Sequence, residues 1–305
     1  MSPNTHPLTL SVIIVNFNSS PFIKDCIDSL LRHIDLTHDE IIVVDNNSTD
    51  NSVSIIKKYK QVTCIQLAHN VGYGAGCNVG AKIAKGDILV CMNPDVQLLT
   101  SLRSVKNIFT NHPNCAIVAP VVKIKSTLYS PVWRLPTVFG EFLGDIRIFS
   151  RKYHLFDKIG NVTTVRINKN QFASGAALFI DKDTFDKVNG FNEKFFMYFE
   201  DADLFFTIHR LKYHCFLDTK SQISHLTAGS SINLGDKKII YHYKSKYHYF
   251  QKRNSKIFFQ VHKITTLLVI LLKIILNYIK NIIYNNKNNK IKAYIQSIIF
   301  YLSAH

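Results

Sequence analysis

Acidic residues are missing from the last part of the sequence. Residues 237–305 contain 13 lysine and arginine residues and no aspartate or glutamate, whereas residues 1–236 contain 24 basic and 21 acidic residues. The net charge of +16 therefore belongs mainly to the tail. Because the main body is nearly neutral, the high isoelectric point does not indicate a nucleic-acid-binding domain, and we expect no nucleic acid partner.

Glycine, proline and paired cysteines are also scarce. The sequence has 12 glycines, 8 prolines and 47% hydrophobic residues, a composition that excludes a disordered chain. The six cysteines form no C-x-x-C pair, so they indicate neither a zinc site nor a disulfide framework. No basic segment precedes the first short apolar run, and we therefore expect no signal peptide and a cytoplasmic protein.

Short apolar runs alternate with amphipathic segments in the first part of the chain. Segments such as Pro21–Arg32 and Ser52–Tyr59 have helical patterns. The sequence therefore predicts an α/β fold with a Rossmann-like, mostly parallel sheet and helices on both faces. The predicted strands are Ser11–Val15, Glu40–Val44, Val62–Leu67, Asp87–Met92 and Ala116–Val121.

Polar residues follow three of these strands, at the edge where such sheets bind ligands. They are the segments 16–18 with Asn16 and Asn18, 45–48 with Asp45, and 93–95 with Asn93 and Asp95. Helix caps and turns use the same residue types, so each segment alone is also compatible with a structural role. The glycines at 72, 74, 76 and 80 match neither G-x-G-x-x-G nor a Walker loop, which argues against a dehydrogenase.

The rest of the chain divides into three parts. Residues 123–171 are irregular and predict an insertion that covers a cleft, while 171–181 predict a strand, 182–188 a helix and 199–204 an acidic helix. We expect a domain at 1–236, divided into two halves at 1–122 and 123–236. Residues 237–305 form a basic helical tail.

The tail has two apolar-faced helical patterns, Ile264–Ile283 and Ile291–Leu302, joined by the polar stretch Asn285–Lys290. Lys273 interrupts the first pattern, which argues against a clean membrane span. Two amphipathic helices whose only charges are lysines predict an interfacial anchor on an anionic membrane surface. Packing of both helices on the main domain is the alternative.

Six motifs occur between Leu10 and Ser231. They are VIIVNFNS, VVDNNSTDNS, HNVGYGAGCNVG, CMNPDV, ASGAALFIDKDTFDKVNGFNEKFFMYFEDADL and SHLTAGSS. Their sequences and order resemble glycosyltransferase family 2, most closely its bacterial rhamnosyltransferase-like branch. The resemblance implies a GT-A fold with a nucleotide-binding half at 1–122 and an acceptor and catalytic half at 123–236. It also implies a nucleotide-sugar donor, Mg²⁺ or Mn²⁺, and inversion at the anomeric carbon.

The resemblance also implies donor-binding residues. Asn16 and Asn18 lie in the loop that lines the nucleotide, and Asp45 matches the aspartate that binds the pyrimidine. Asn70 and Gly72 match the loop over the nucleotide and sugar.

Metal and catalytic residues follow from the same resemblance. Asn93 and Asp95 occupy the place of the D-x-D motif, so Asp95 is the main metal ligand, and His225 matches a histidine that completes the metal shell in some relatives. Asp201 matches the catalytic base, and Glu200 orients the acceptor or shares a proton with it.

The expected function is transfer of L-rhamnose from dTDP-rhamnose to a lipid-linked oligosaccharide in O-antigen, lipopolysaccharide or capsule synthesis. The enzyme would be peripheral, on the inner face of a bacterial membrane. Alternatives are a UDP-hexose-dependent transferase carrying galactose, glucose or N-acetylglucosamine, and a non-catalytic nucleotide-sugar-binding protein. A synthase that extrudes its product would need several clean spans.

Overall fold

The computed structural model describes residues 7–124, 127–145, 154–155, 163–225, 234–283 and 290–304. The chain forms two compact units. The first comprises Met1–Leu135, Tyr153–Glu193 and Asp201–Ser230, and the second comprises Pro136–Lys152, Lys194–Glu200 and Ser231–His305.

The strands, in chain order, are β1 (Leu10–Asn16), β2 (Glu40–Asp45), β3 (Val62–Gln66), β4 (Ile88–Met92), β5 (Val96–Leu98), β6 (Cys115–Ile124), β7 (Thr127–Ser130), β8 (Val132–Arg134), β9 (His154–Leu155), β10 (Thr164–Ile167), β11 (Gln171–Ala173), β12 (Ala177–Asp181) and β13 (His214–His225). The helices are α1 (Ile23–His33), α2 (Ser52–Ile56), α3 (Tyr73–Ile83), α4 (Arg103–Asn111), α5 (Val138–Asp145), α6 (Lys182–Lys187), α7 (Glu200–Arg210), α8 (Lys237–Arg253), α9 (Lys256–Ile283) and α10 (Lys290–Ser303).

The first unit is built on a large mixed sheet with the order β10-β13-β6-β12-β4-β1-β2-β3. Strands β4, β1, β2 and β3 are parallel neighbours, as the apolar runs predict. Strand β12 runs antiparallel between β4 and β6, so the sheet is only mostly parallel. The predicted fold class is confirmed. The predicted helix Ser52–Tyr59 is shorter, because α2 ends at Ile56.

Residues on both faces of the central strands are buried, which explains their continuous apolar runs. Along β1, Leu10, Val12 and Ile14 pack into the main core with residues of α1 and α4. Burying such side chains stabilises the sheet by about 1.5–3 kcal/mol each. The core therefore fixes the edge at which β1, β2 and β4 end.

Helix α3 lies close against β1 because two of its residues on that side are glycines, which have no side chain. The space between helix and strand has no room for a larger residue. A Cβ added at Gly80 would lie 2.5 Å from Cγ2 of Ile13, and one added at Gly76 would lie 2.8 Å from Cγ1 of Val15. The glycine-rich stretch thus brings the start of α3 to the strand edge. The predicted insertion at 123–171 contains short strands and α5 in its described residues.

The second unit contains three helices of the tail, one more than the sequence predicts. Helix α8 was not predicted, and α9 begins at Lys256, before the predicted start at Ile264. Helix α10 corresponds to the second predicted segment, while residues 285–289 of the predicted linker lie outside the described residues. Within the described part of the chain, one helix, α9, has the length and composition of a membrane-crossing segment.

Candidate active site

The ends of β1 and β2 bring Asn16 and Asp45 side by side. The two residues are paired in the parallel register, and the Asn16 amide donates to Oδ1 of Asp45 over 2.7 Å. The same amide donates to the Ser48 and Ser52 hydroxyls, and its oxygen accepts from Ser19. Asn16 is fully buried, and its amide fixes the position of the Asp45 carboxylate.

Asn18 shapes the turn beside this pair. It has a left-handed backbone with φ 48°, a conformation that asparagine tolerates better than most residues. Its side-chain oxygen accepts from the backbone of Thr49 over 2.7 Å, and its own N–H donates to the Ser48 hydroxyl. The backbone N–H of Ser48 donates in turn to Oδ2 of Asp45. These bonds fix both carboxylate oxygens of Asp45.

The loop before α3 is held by Asn46, which follows Asp45 in the chain. The Asn46 amide donates to the Gly72 carbonyl over 3.1 Å, and its oxygen accepts from the Val71 N–H. Asn70 accepts from the Gly72 N–H over 2.9 Å. Gly72 has φ 90°, a conformation that strongly favours glycine. The loop with the predicted pair Asn70 and Gly72 is therefore bonded to Asn46, the residue that follows Asp45.

Tyr73, the first residue of α3, connects this loop to the predicted base. Its hydroxyl donates to the Gly175 carbonyl over 2.8 Å. The Gly175 N–H donates to Oδ2 of Asp201 over 3.0 Å, and the Ala202 N–H donates to Oδ1 over 2.8 Å. Two backbone donors thus fix the Asp201 carboxylate. A path of hydrogen bonds joins the neighbourhood of Asp45 to Asp201.

Asn93 and Asp95 follow β4 at the same edge. The Asn93 N–H donates to the Ala176 carbonyl over 2.9 Å, next to Gly175. The Asp95 carboxylate is buried, and its Oδ1 lies 3.6 Å from Nε2 of His225. His225 reaches this position because β13 pairs with β5, where it lies opposite Val96. The structure therefore brings together two predicted metal ligands that are far apart in the sequence.

The donor set of this pair fits a hard divalent cation. A carboxylate oxygen suits Mg²⁺ and Mn²⁺, and an imidazole nitrogen also suits Mn²⁺. Among the residues that the structure describes, no group of three or more His, Cys, Asp or Glu side chains could hold a metal. The remaining ligands would come from substrate and water, as is common for Mg²⁺ beside phosphates.

A cysteine near Asp95 stays a neutral thiol. Burial raises the pKa of Cys26, and the charge of Asp95 raises it further. The Cys26 sulfur lies 3.8 Å from the Asn93 carbonyl. Because only a thiolate is a strong metal ligand, Cys26 packs beside the pair without adding a ligand to it.

Glu200 belongs to the second unit, where it begins α7 and is buried. Burial and the charge of Glu200 raise the pKa of Tyr198. Tyr198 and Phe199 both have left-handed backbones, with φ 70° and 68°. Such conformations cost about 1–2 kcal/mol per residue, so surrounding contacts must hold this segment in place.

Two contributors to the first unit's network, Tyr73 and Gly175, were not singled out from the sequence. Asn46 lay in the predicted strand-end segment 45–48, but no individual role was predicted for it. Tyr73 stands between two glycines, and a large polar aromatic side chain among small residues was the available signal. Gly175 acts through its backbone, which leaves no side-chain signal.

A sequence model of the family described as "Glycosyl transferase family 2" matches residues 11–171, more than half of the chain. The matched span carries the strand ends at Asn16, Asp45 and Asp95. The chain therefore belongs to glycosyl transferase family 2.

Two curated relatives show how far the similarity extends. A low-salt glycan biosynthesis hexosyltransferase of Haloferax volcanii is 25% identical over 207 residues, which are 66% of this chain and 62% of the relative. An N-acetylglucosaminyl-diphospho-decaprenol L-rhamnosyltransferase of Mycobacterium tuberculosis is 21% identical, over 81% of this chain and 85% of the relative. The chain thus spans less than two thirds of the Haloferax protein.

Solved structures share the fold. A mannosyltransferase from Pyrobaculum calidifontis in complex with GDP-Man and Mn²⁺ has a TM-score of 0.56 and 13% identity, covering 98% of this chain and 88% of that one. S. aureus TarS 1–349 in complex with UDP has a TM-score of 0.52 and 16% identity, covering 78% and 65%. These matches show a GT-A glycosyltransferase fold.

Proposed function

We propose that this protein is an inverting, metal-dependent glycosyltransferase that uses a nucleoside diphosphate sugar as donor. The observation that carries the proposal is the hydrogen-bond path from the neighbourhood of Asp45 to Asp201 through Tyr73 and Gly175. It joins a carboxylate suited to bind the base of a nucleotide to a carboxylate suited to accept a proton. Membership of the family supports the same activity.

In the proposed donor site, Asp45 accepts a hydrogen bond from the pyrimidine N–H. Each of its oxygens already accepts one bond and keeps a further lone pair for this contact. Asn16 and Asn18 hold Asp45 and its turn, while Asn70 and Gly72 form the loop over the nucleotide and sugar. This arrangement orients the base before the chemical step.

Asp201 acts as the catalytic base in the proposed reaction. It takes the proton of the acceptor hydroxyl as that oxygen forms a bond to C1 of the donor sugar, and the bond from C1 to the diphosphate oxygen breaks. A single displacement inverts the configuration at C1. The N–H groups of Gly175 and Ala202 donate to its two oxygens and so orient the carboxylate. Glu200 orients the acceptor or shares the proton.

Asp95 and His225 would hold Mg²⁺ or Mn²⁺, with Asn93 beside them. The bound ion would supply positive charge that stabilises the departing diphosphate. Complexes of two proteins with similar folds contain Mn²⁺, namely the Pyrobaculum mannosyltransferase and GalNAc-T7.

The donor we propose is dTDP-L-rhamnose and the acceptor a lipid-linked oligosaccharide of bacterial surface polysaccharide synthesis, such as O-antigen or capsule. The relative from M. tuberculosis, similar over most of both chains, supports this choice. A UDP-hexose donor is the second candidate, because S. aureus TarS structures with UDP and UDP-GlcNAc share the fold. We place the enzyme at the inner face of the cell membrane.

The experiment measures binding and turnover of a panel of donors: dTDP-rhamnose, UDP-glucose, UDP-galactose, UDP-GlcNAc and GDP-mannose. We expect one pyrimidine donor to bind and to be hydrolysed slowly without acceptor. With an acceptor, nuclear magnetic resonance of the product should show inversion at C1. Binding of GDP-mannose alone would contradict the role of Asp45, and retention would contradict a single displacement.

The Asp201→Asn variant tests the base. We expect kcat to fall by about 10²–10⁴, the usual contribution of a general base, while donor Kd stays near the wild-type value. Asp183→Asn, an exposed carboxylate on α6, is the matched control and should retain full turnover. Wild-type turnover by Asp201→Asn would refute the assignment.

A further inference from the structure

Helix α9 turns its apolar side to solvent. In a helix of a soluble protein the apolar side is buried and the polar side exposed. In α9, which is about 42 Å long at 1.5 Å per residue, apolar side chains are exposed along most of the helix, and its buried side holds both polar and apolar residues. The exposed apolar side chains of α9 are Ile257, Phe258, Val261, Ile264, Leu268, Leu271, Leu272, Ile275, Leu276, Tyr278, Ile279, Ile282 and Ile283.

The opposite side of α9 carries much of its polar content and packs within the second unit. His262 and Thr266 are buried, and the His262 ring packs on Phe250 of α8 with ring centroids 4.1 Å apart and an interplanar angle of 35°. Lys273 donates to the Tyr243 hydroxyl of α8 over 3.0 Å. His262 and Lys273 therefore lie on the side of α9 that packs on α8, and a largely apolar side is left outward.

Helix α10 repeats this arrangement. It packs on both α8 and α9 through buried residues that include Ala293, Ser297 and Tyr301. Its exposed apolar residues, Ile295, Ile299 and Leu302, are spaced by four and three positions and so share one side. Two helices of the unit thus have unburied apolar sides.

The charge of helix α8 shows whether α9 can cross a bilayer or lies on its surface. The contacts of α8 with α9 extend from Phe250 beside His262 to Tyr243 beside Lys273, so the two helices run side by side over this stretch. Helix α8 contains six lysine and arginine residues among 17. If α9 crossed a bilayer there, α8 would carry these charges into hydrocarbon, at about 2.5–3.5 kcal/mol for each central one.

The charge of the tail indicates which kind of partner covers the exposed apolar sides of α9 and α10. Residues 237–305 contain 13 basic and no acidic side chains, so a second copy of this chain would meet like charge. Anionic lipid headgroups offer the opposite charge together with an apolar interior.

We propose that the exposed sides of α9 and α10 are immersed in one leaflet of an anionic bilayer, with α9 lying along the membrane. This inference deepens the proposed function, from which it takes the lipid-linked acceptor. Attachment of this kind depends mainly on burial of apolar side chains in the leaflet. The lysines lie at the headgroups and favour anionic lipids. The attachment therefore resists salt, unlike attachment by charge alone.

The test is flotation of the full-length protein with phosphatidylcholine vesicles containing about 30% phosphatidylglycerol, at low salt and at about 1 M NaCl. The wild type should float at both salt concentrations. The triple variant Ile264→Gln, Leu268→Gln, Leu271→Gln keeps the net charge and should bind at least about tenfold more weakly. Release of the wild type by salt would overturn the proposal.

The matched control replaces three exposed apolar residues of the first unit, Leu36→Gln, Ile83→Gln and Leu211→Gln, and should float like the wild type. Equal losses in both triple variants would overturn the proposal. Sedimentation without lipid gives a second way to overturn the proposal. If the wild type were a dimer and only the α9 variant a monomer, the exposed side of α9 would bind a second copy of the chain.

A measurement on the wild type covers the case in which the α9 variant misfolds. Hydrogen exchange should slow in residues 257–283 when vesicles are added, and unchanged exchange there would overturn the proposal. Donor hydrolysis separates this inference from the proposed function. A wild type that floats without hydrolysing any donor refutes the function alone, and one that hydrolyses a donor without floating refutes the attachment alone.

Discussion

The fit of α3 against β1 can be tested with Gly80→Ala and Ile13→Ala, singly and together. The Cβ of an alanine at 80 would lie 2.5 Å from Cγ2 and 3.2 Å from Cγ1 of Ile13. Both Ile13 atoms disappear in Ile13→Ala. The same methyl group therefore enters a filled space in the wild type and an open one in the variant.

The effect of Gly80→Ala on the free energy of unfolding should have opposite signs in the wild type and in Ile13→Ala. In the wild type the clash costs about 1–3 kcal/mol, and the higher helix propensity of alanine returns about 1 kcal/mol. We therefore expect Gly80→Ala to lower the free energy of unfolding by up to about 2 kcal/mol. In the Ile13→Ala background, which itself costs about 2–5 kcal/mol, the same change should raise it by about 1 kcal/mol.

Urea unfolding of the four proteins measures these differences, with donor titration as the second readout. Gly80→Ala should also weaken donor binding, because a displaced α3 moves Gly72 and Tyr73 at its start. Lys82→Ala, at an exposed position of the same helix, is the control and should change stability by less than about 0.5 kcal/mol. Equal effects of Gly80→Ala in both backgrounds would refute the steric explanation.

Two further predictions concern metal and pH. Asp95→Ala should raise the Kd for donor in the presence of Mn²⁺ by about tenfold or more in calorimetry, and an unchanged titration would contradict its role as ligand. Burial lowers the pKa of His209, so its native form stays neutral. Its contribution to stability is complete above the unfolded pKa of about 6.5 and is lost as pH falls below it. His209→Gln should therefore lose less stability than the wild type between pH values of about 7.5 and 5.5 in urea unfolding, and identical losses would contradict this.

The strands and the site edge followed from the sequence because their causes are local. Burial on both faces requires continuous apolar runs, and parallel neighbours end at one edge, which placed Asn16, Asp45 and Asp95 correctly. The direction of β12 did not follow, because a buried run has the same composition in a parallel and an antiparallel strand. The Tyr73–Gly175 bond joins residues 102 positions apart and has no local signature.

Helix α8 shows a different limit. Its buried aromatic residues Tyr243, Tyr247 and Phe250 are spaced by four and three positions, which is a helical period. The helix was not predicted from this spacing, because the surrounding lysines and histidines are typical of a solvated segment. The buried side of α8 consists largely of aromatic residues, many of them tyrosines. The ring centroids of Tyr247 and Tyr301, for example, are 5.1 Å apart. Aliphatic patterning alone could not detect it.

The tail also supports the segment that precedes the proposed base. Within the second unit, Phe199 packs on Tyr249 of α8 with ring centroids 5.3 Å apart, and the Ser245 hydroxyl donates to the Met197 carbonyl over 2.8 Å. These contacts hold two consecutive left-handed residues, and the segment continues through Glu200 to Asp201. Deleting the tail would remove the proposed membrane-binding surface and these contacts together. Substitutions on the exposed sides of α9 and α10 would separate the proposed attachment from catalysis, because they leave the contacts of α8 with the segment before Asp201 in place.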